Sequence, residues 1–190
     1  MTWDSNGVNE WKDTSLQKYL NGTSTGDYYN GLSQTAKDMI ATTKYYLGAN
    51  NTYSSSAEIY YNWERGTTVY SGRSTSWTGN IALMYPSDYT YTYALGVDNT
   101  CYTDGGNNGC GQSSGKINGW IYNSNGDSTQ WLLSPYSSYE SSALTLATYG
   151  FVSSDGVNNS HGVRPSLYLV SDIKIYGGVG TEQSPYQLKL

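Results

Sequence analysis

Charge is what this chain has least of: Asp, Glu, Lys and Arg make up 13% of its 190 residues, about half the share usual in soluble domains. It holds one histidine, one phenylalanine, two cysteines and four prolines. A lone histidine, His161, leaves almost no material for a His-assisted nucleophile or a multi-histidine metal site. There is no basic run and the net charge is −5, so neither nucleic-acid phosphates nor an anionic membrane surface could be neutralised, and no nucleic-acid partner is expected. No unbroken apolar stretch approaches the roughly 20 residues of a spanning helix, so direct membrane insertion is not expected either. Met1 leads straight into Trp3, Asp4 and Ser5 without a signal-peptide core, the pattern expected of a fragment trimmed from a longer protein.

What replaces charge is neutral polarity. With 21 Tyr and 22 Gly among abundant Asn, Ser and Thr, solubility rests on hydroxyls and amides, which cost less to desolvate than Lys or Glu. Antibody paratopes favour the same residues, because Tyr offers broad contact area at low rotamer entropy. The alternative is an ordinary extracellular β-rich domain. The length accommodates one domain over 1–190, since a split would leave each half a thin core. Cys101 and Cys110 bracket a loop rich in Gly and Asn. A disulfide there would remove roughly 2 to 3 kcal/mol of unfolded-chain entropy and would require an oxidising, extracellular compartment; two free thiols are the other arrangement.

Helical signals are confined to the first quarter. Thr14 and Gln17 have capping-box spacing, Leu16, Tyr19 and Leu20 share a face, and Gly22 is expected to close the turn with positive φ. Ser33 caps a second segment in which Ala36, Met39 and Ile40 recur at helical spacing, before Thr42–Leu47 turns to strand chemistry that ends at Gly48. Short strands are then expected at 67–70, 81–85, 120–122, 131–134, 143–147, 151–153 and 163–170. In the last of these, Val163, Leu167 and Leu169 alternate with Arg164, Ser166 and Tyr168, which predicts one buried face, and Pro165 predicts an edge or a bulge.

Two helices followed by a twisted, loop-rich, mostly antiparallel sheet is an α+β plan. Within it, Trp131-Leu-Leu-Ser-Pro135 and Gly162-Val-Arg-Pro165, ending in Leu167-Tyr-Leu169, resemble the late-strand signature of C-type-lectin-like domains in gut-bacterial surface proteins. Ser15–Asn21 with Tyr28-Tyr-Asn30 resembles the opening of that domain. Glu64-Arg65-Gly66, Tyr70-Ser-Gly72, Trp77-Thr-Gly79 and Leu83–Asp88 resemble the middle of a prepilin-anchored subset, and Ile173–Gly178 with Ser184-Pro-Tyr186 its tail. The resemblance spans nearly the whole chain, though each motif alone is weak, and the pilin helix of that subset is missing from the sequence.

The resemblance implies a C-type-lectin-like fold at the cell surface or outside the cell, and an adhesin or receptor-like domain that binds an extracellular protein or glycan. Some members of that subset are diversified by retroelements that rewrite codons on the ligand-facing surface. The matching positions here would be Tyr136, Ser138, Tyr139, Ser141, Asn158, Asn159, Ser160 and His161, with Asn123, Asn125, Asp127 and Ser128 upstream; as bare sequence, without the resemblance, they read as ordinary polar loops. On this plan Leu144, Leu146, Val152, Val163 and Leu167 hold the core while outward residues bind.

Two other functions stay open: a structural pilin head that assembles through the missing N-terminal segment, and a divergent enzyme related to the formylglycine-generating enzymes, which share the fold. The second uses a placed cysteine pair, and Cys101 and Cys110 lack its surrounding motif, so a structural crosslink is preferred. Glu58, Glu64, Asp88 and Asp98 could be nominated as paired carboxylates, yet nothing in the sequence sets any two at the separation glycoside hydrolysis requires; Glu64 and Arg65 read as framework. Oxygen ligands for calcium occur at Asp98, Asp104, Asn107 and Asn108 and at Asn123, Asn125 and Asp127, without EF-hand or Glu-Pro-Asn spacing, so solvated turns are preferred and neither metal nor cofactor is expected. Arg164 reads as structural, its guanidinium pinning a carboxylate or carbonyls, and His161 as an exposed loop residue.

Overall fold

The computed structural model describes residues 1–49, 51, 55–94, 129–148, 150 and 152–190. The expected strand at 120–122, the Cys101–Cys110 pair and the upstream residues Asn123, Asn125, Asp127 and Ser128 lie outside the described residues, as do Asp98, Asp104, Asn107 and Asn108. The architecture is α+β, built from short helices and small antiparallel ladders.

Three short helices open the chain: α1 Ser15–Asn21, α2 Tyr28–Gly31 and α3 Gln34–Asp38. Thr14 caps α1 by accepting from the Gln17 amide, and Ser33 caps α3 by accepting from Ala36. The reciprocal half of the capping box shifts by one residue, because Gln17 Oε1 accepts from the Asp13 amide at 3.2 Å. Gly22 has a negative φ of −72°, contrary to expectation. It is needed for space instead: a Cβ there would stand 2.0 Å from Asp27 Oδ2.

Strand β1, Thr43–Tyr46, pairs with β2, Ser76–Gly79; β3, Ile81–Leu83, pairs with β7, Pro165–Leu167. A three-stranded meander joins β4, Gln130–Pro135, β5, Ser142–Leu146, and β6, Val152–Gly156, and a final hairpin joins β8, Lys174–Gly177, to β9, Gln187–Lys189. The expected single sheet is therefore four separate ladders among the described residues. Residues 67–70 are irregular rather than strand, and the run expected over 163–170 pairs regularly only over Pro165–Leu167. Pro165 sits opposite Leu83 in a two-stranded ladder, where both strands are edges and a missing amide proton is tolerated.

Two further helices lie beyond the first quarter: α4, Ala57–Glu64, and α5, Pro86–Ala94. The buried stripe of α4 is Ala57, Tyr60 and Glu64, and a carboxylate in the stripe hides its helical period from any apolar count. In α5 proline takes the first helical position, where no amide partner is needed, and Asp88 Oδ2 accepts from the Tyr85 amide at 3.1 Å.

Strand β4 divides the interior. Trp131 and Leu133 enter a first core with Trp3, Trp11, Leu16, Leu20, Tyr45, Ile81 and Leu83, while Leu132 enters a second with Tyr60, Tyr89, Leu144, Leu146 and Val152. Period-2 alternation on a strand covered on both faces explains its continuous apolar run. The first core is organised by tryptophans meeting edge to face, Trp3 to Trp11 at 5.2 Å, Trp3 to Trp131 at 5.8 Å and Trp11 to Trp77 at 6.1 Å. Of the five residues expected to hold the core, Leu144, Leu146 and Val152 are buried and Val163 packs partly against it. Leu167 is a correction at 36% exposed, and its expected companion Leu169 is 42% exposed. The two-stranded β3–β7 ladder places no second layer over that side. Among the described residues no helix is long and apolar enough to cross a membrane.

Candidate functional site

The two turns that carry the described candidate residues meet at one end of the β4–β5–β6 meander. The β4–β5 turn carries Tyr136, Ser138, Tyr139 and Ser141, and the turn after β6 carries Asn158, Asn159, Ser160 and His161. Antiparallel order brings the start of the second turn beside the first, where the Val157 amide donates to Ser141 O at 2.9 Å; the chain then runs back along β4, with Ser160 bridged to Thr2 and Gly162 beside Gln130. Ser138, Tyr139, Ser141, Asn158, Asn159 and Ser160 are all exposed.

The N-terminal segment underpins this end. Asn9 is fully buried, and its Nδ2 donates to the carbonyls of Tyr136, Tyr139 and Ser142, each at 2.9 Å. Its own amide donates to Glu140 O at 2.7 Å, and its Oδ1 accepts from Arg73 Nε at 3.3 Å. One side chain thus ties together three inward carbonyls of the turn, two of which, Tyr139 O and Ser142 O, also accept from the Ser142 and Tyr136 amides. Asp4 adds to the frame: its amide donates to Val157 O at 3.1 Å, while its carboxylate accepts from the Asn6 amide at 3.0 Å. Nothing in the local sequence marks Asn9, because its partners are brought to it only by the tertiary fold.

Tyr136 and Tyr139 were expected to act alike; the structure separates them. Their rings stack in parallel, centres 5.6 Å apart and planes 11° from each other. Tyr136 is half-buried against the second core and its hydroxyl donates to Asn51 O at 2.7 Å. Tyr139 is 63% exposed. Tyr136 therefore serves as a fixed backing against which the exposed Tyr139 ring is held.

His161 is a correction to the expected free loop residue. Its ring lies against Trp131 at 4.5 Å, edge to face, its Nε2 donates to Asp155 Oδ2 at 2.7 Å, and its side chain is 14% exposed. Asp155 Oδ1 also accepts from the Gly156 amide at 2.7 Å and from Asn159 Nδ2 at 2.9 Å. Partial burial would raise the Asp155 pKa, but hydrogen bonds from Gly156, His161 and Asn159 outweigh it and hold the carboxyl below its ordinary value. Asn159 and His161 are thus tied into the turn, whereas Asn158 and Ser160 keep exposed side chains.

On another side of the molecule Glu64 joins the end of α4 to the start of α5. Its Oε1 accepts from the Ser87 amide at 2.8 Å, its Oε2 accepts from the Ser87 hydroxyl, and Arg65 Nη1 donates to Oε2 at 2.9 Å. A carboxylate at a helix N-terminus is favoured by the unpaired amides there. Burial nevertheless pushes the Glu64 pKa up to about 7 against the opposing pull of the Ser87 bonds and Arg65, with Asp88 adding to the rise. Burial likewise raises Asp88. Glu64 and Asp88 do come near one another, as framework around α5. Glu58 lines a shallow depression of about 350 Å³ with Ser56, Ala57 and Tyr91. Arg164 is partly buried, which lowers its pKa. Among the described residues no group of His, Cys, Asp and Glu side chains is arranged to hold a metal ion.

No protein-family model, characterised protein or solved structure matches the chain.

Proposed function

We propose that the chain is an extracellular ligand-binding domain, adhesin-like or receptor-like, in which a C-type-lectin-like scaffold presents exchangeable side chains on the loops at the end of the β4–β5–β6 meander. The observation that carries this is the exposed Tyr139 ring, stacked on an anchored Tyr136 and standing on a turn whose carbonyls are held from below by Asn9. Such a platform is ordered before a ligand arrives, so little entropy is lost on binding. Exposed hydroxyls and amides at Ser138, Ser141 and Asn158 stand on the same two joined turns, the mixture of rigid anchor and adaptable polar groups that recognition surfaces use. Because the turn is held through backbone carbonyls, these side chains can change without loss of the turn, which suits a surface diversified by a retroelement. The domain is proposed to bind a protein or glycan outside the cell and to carry out no chemistry on it.

An array of glycans together with a panel of extracellular proteins tests this. The wild-type domain should retain at least one ligand that the Tyr139→Ala variant releases. Binding that survives a Tyr136→Ala, Tyr139→Ala double variant for every ligand found would remove the site from the proposal.

A further inference from the structure

An asparagine followed by glycine is the pair in which a backbone nitrogen most readily attacks the preceding side chain, because glycine has no Cβ to hinder ring closure. The chain holds six such pairs, of which those at 108, 118 and 125 lie outside the described residues. The other three, Asn6-Gly7, Asn21-Gly22 and Asn30-Gly31, have the same local chemistry, and the fold treats each differently.

Asn21 is locked. Its Nδ2 donates to Gln17 O at 3.1 Å and to Ile81 O at 2.8 Å, and its Oδ1 accepts from the amides of Asn80 at 3.3 Å and Ile81 at 2.9 Å. Gly22 is hemmed in by Asp27 Oδ2 and Lys18 O, so neither the side chain nor the attacking nitrogen can turn. Asn30 is exposed but stands in α2, where Asp27 O holds the Gly31 amide at 3.1 Å. Asn6 is exposed in a turn. Gly7 has a φ of +77° with no atom within 4 Å of the place a Cβ would take, and its amide reaches Asp4 O only at 3.4 Å, beyond the usual range for such a bond.

We infer that Asn6-Gly7 is a site of spontaneous deamidation in the folded protein, and that its isoaspartyl product loosens the turn carrying Tyr139. The Gly7 nitrogen bonds to Asn6 Cγ, the Cγ–Nδ2 bond breaks, and the proton lost from Gly7 leaves with Nδ2 as ammonia. Water then opens the five-membered imide at one carbonyl or the other, giving aspartate or isoaspartate.

The position makes the product consequential. Asn6 lies between two anchors on the β4–β5–β6 meander: the Asp4 amide donates to Val157 O at 3.1 Å, and the Asn9 amide donates to Glu140 O at 2.7 Å. The buried Asp4 carboxylate also accepts from the amides of Asn6 at 3.0 Å and Val8 at 3.4 Å. Isoaspartate routes the main chain through Cβ, adding one carbon between the anchors, and shifts Asn9 against the carbonyls of Tyr136, Tyr139 and Ser142 that it holds. Aspartate adds the same charge without lengthening the chain.

Peptide mass mapping of the whole chain, aged in warm and mildly alkaline buffer, reads the conversion at each asparagine. In the folded protein Asn6 should convert at least about 10-fold faster than Asn21 or Asn30, which must first open locally; in urea the three rates should fall within about 3-fold of one another. Amide exchange over residues 136–142 should be at least about 3-fold faster in the purified isoaspartyl form than in unaged protein. Asn6→Asp, and aged Asn6→Gln, whose longer side chain closes a ring less readily, should keep the unaged rate. Equal conversion of Asn6 and Asn21 in the folded chain, or a preference for Asn6 that persists in urea, overturns the assignment of the site. Unchanged exchange in the isoaspartyl form, or equal acceleration in Asn6→Asp, overturns its effect on the turn. Neither readout uses a ligand, so the outcome is independent of the proposed binding function.

Discussion

The side-chain amide of Asn9 donates to the backbone carbonyl of Tyr139 at 2.9 Å across 130 positions of sequence. That bond and its companions to Tyr136 and Ser142 couple the start of the chain to the turn proposed to meet the ligand. Asn9→Ala should therefore remove one hydrogen bond from each of three turn carbonyls and cost about 1 to 3 kcal/mol, read from urea denaturation. Amide exchange over residues 136–142 should accelerate by more than in the rest of β4 and β5; uniform acceleration would mean that Asn9 stabilises the fold without ordering the platform.

The unequal exposure of the stacked tyrosines predicts unequal effects. Tyr139→Ala should change stability by no more than about 0.5 kcal/mol, as for other surface substitutions. Tyr136→Ala removes packing against the second core and the bond to Asn51 O, and should cost about 1 to 3 kcal/mol. Thermal denaturation of the two variants side by side decides whether backing and contact are separate roles.

Burial of Glu64 makes stability depend on pH in a definite direction. With the folded pKa raised from 4.5 to about 7, the folded protein holds a proton between these values that the unfolded chain has released. Stability therefore falls as pH rises across that window, by roughly 3 kcal/mol, and Asp88, also raised, adds to the same slope. Glu64→Gln keeps an acceptor for the Ser87 amide and a donor for its hydroxyl while removing the titration. Denaturation midpoints on either side of the window should draw closer in this variant, the remainder being due to Asp88, and an undiminished slope would assign the effect to another group.

Asp155 acts in the opposite sense. Its pKa is lowered below 3.8, so its contribution is complete above that value and is lost as pH falls through the lowered pKa. The side chain is 41% exposed, and solvent screening limits the contribution to under about 1 kcal/mol. Asp155→Asn should flatten the acid limb of the stability profile slightly and loosen the His161 ring from Trp131, visible as a change in tryptophan fluorescence.

Gly48 supplies a steric test. A Cβ there would lie 2.0 Å from the backbone oxygen of Trp63, an atom that cannot swing aside. Gly48→Ala should cost about 2 kcal/mol or more, measured by thermal denaturation; the residue lies two positions past the end of β1, where close approach of another backbone is not visible in the sequence.

Several elements were legible because their cause is local. Thr14 and Ser33 cap helices with their own hydroxyls, and the apolar run at Trp131 is a strand because its alternate residues serve two cores. Helix α4 was not legible, since its buried face includes Glu64, a residue acceptable there only because Ser87 and Arg65 come to meet it. The expected burial of Leu167 failed for the converse reason: alternation shows that two faces differ, but not whether another layer covers either of them.

At the proposed site the same division holds. Residue type marked the two loops as polar and exposed, because Tyr, Ser and Asn at that density are costly to bury and cheap to present to solvent, and the family resemblance singled them out as binding positions. Only the tertiary structure joined those loops, set Asn9 beneath the first, made Tyr136 a support and left Tyr139 exposed, and drew His161 inward onto Trp131. The chain's own chemistry specifies caps, turns and strand period through neighbours a few residues apart. Which polar groups are satisfied, and which remain open for a partner, depends on atoms more than a hundred residues distant and is settled when packing brings them within hydrogen-bond reach.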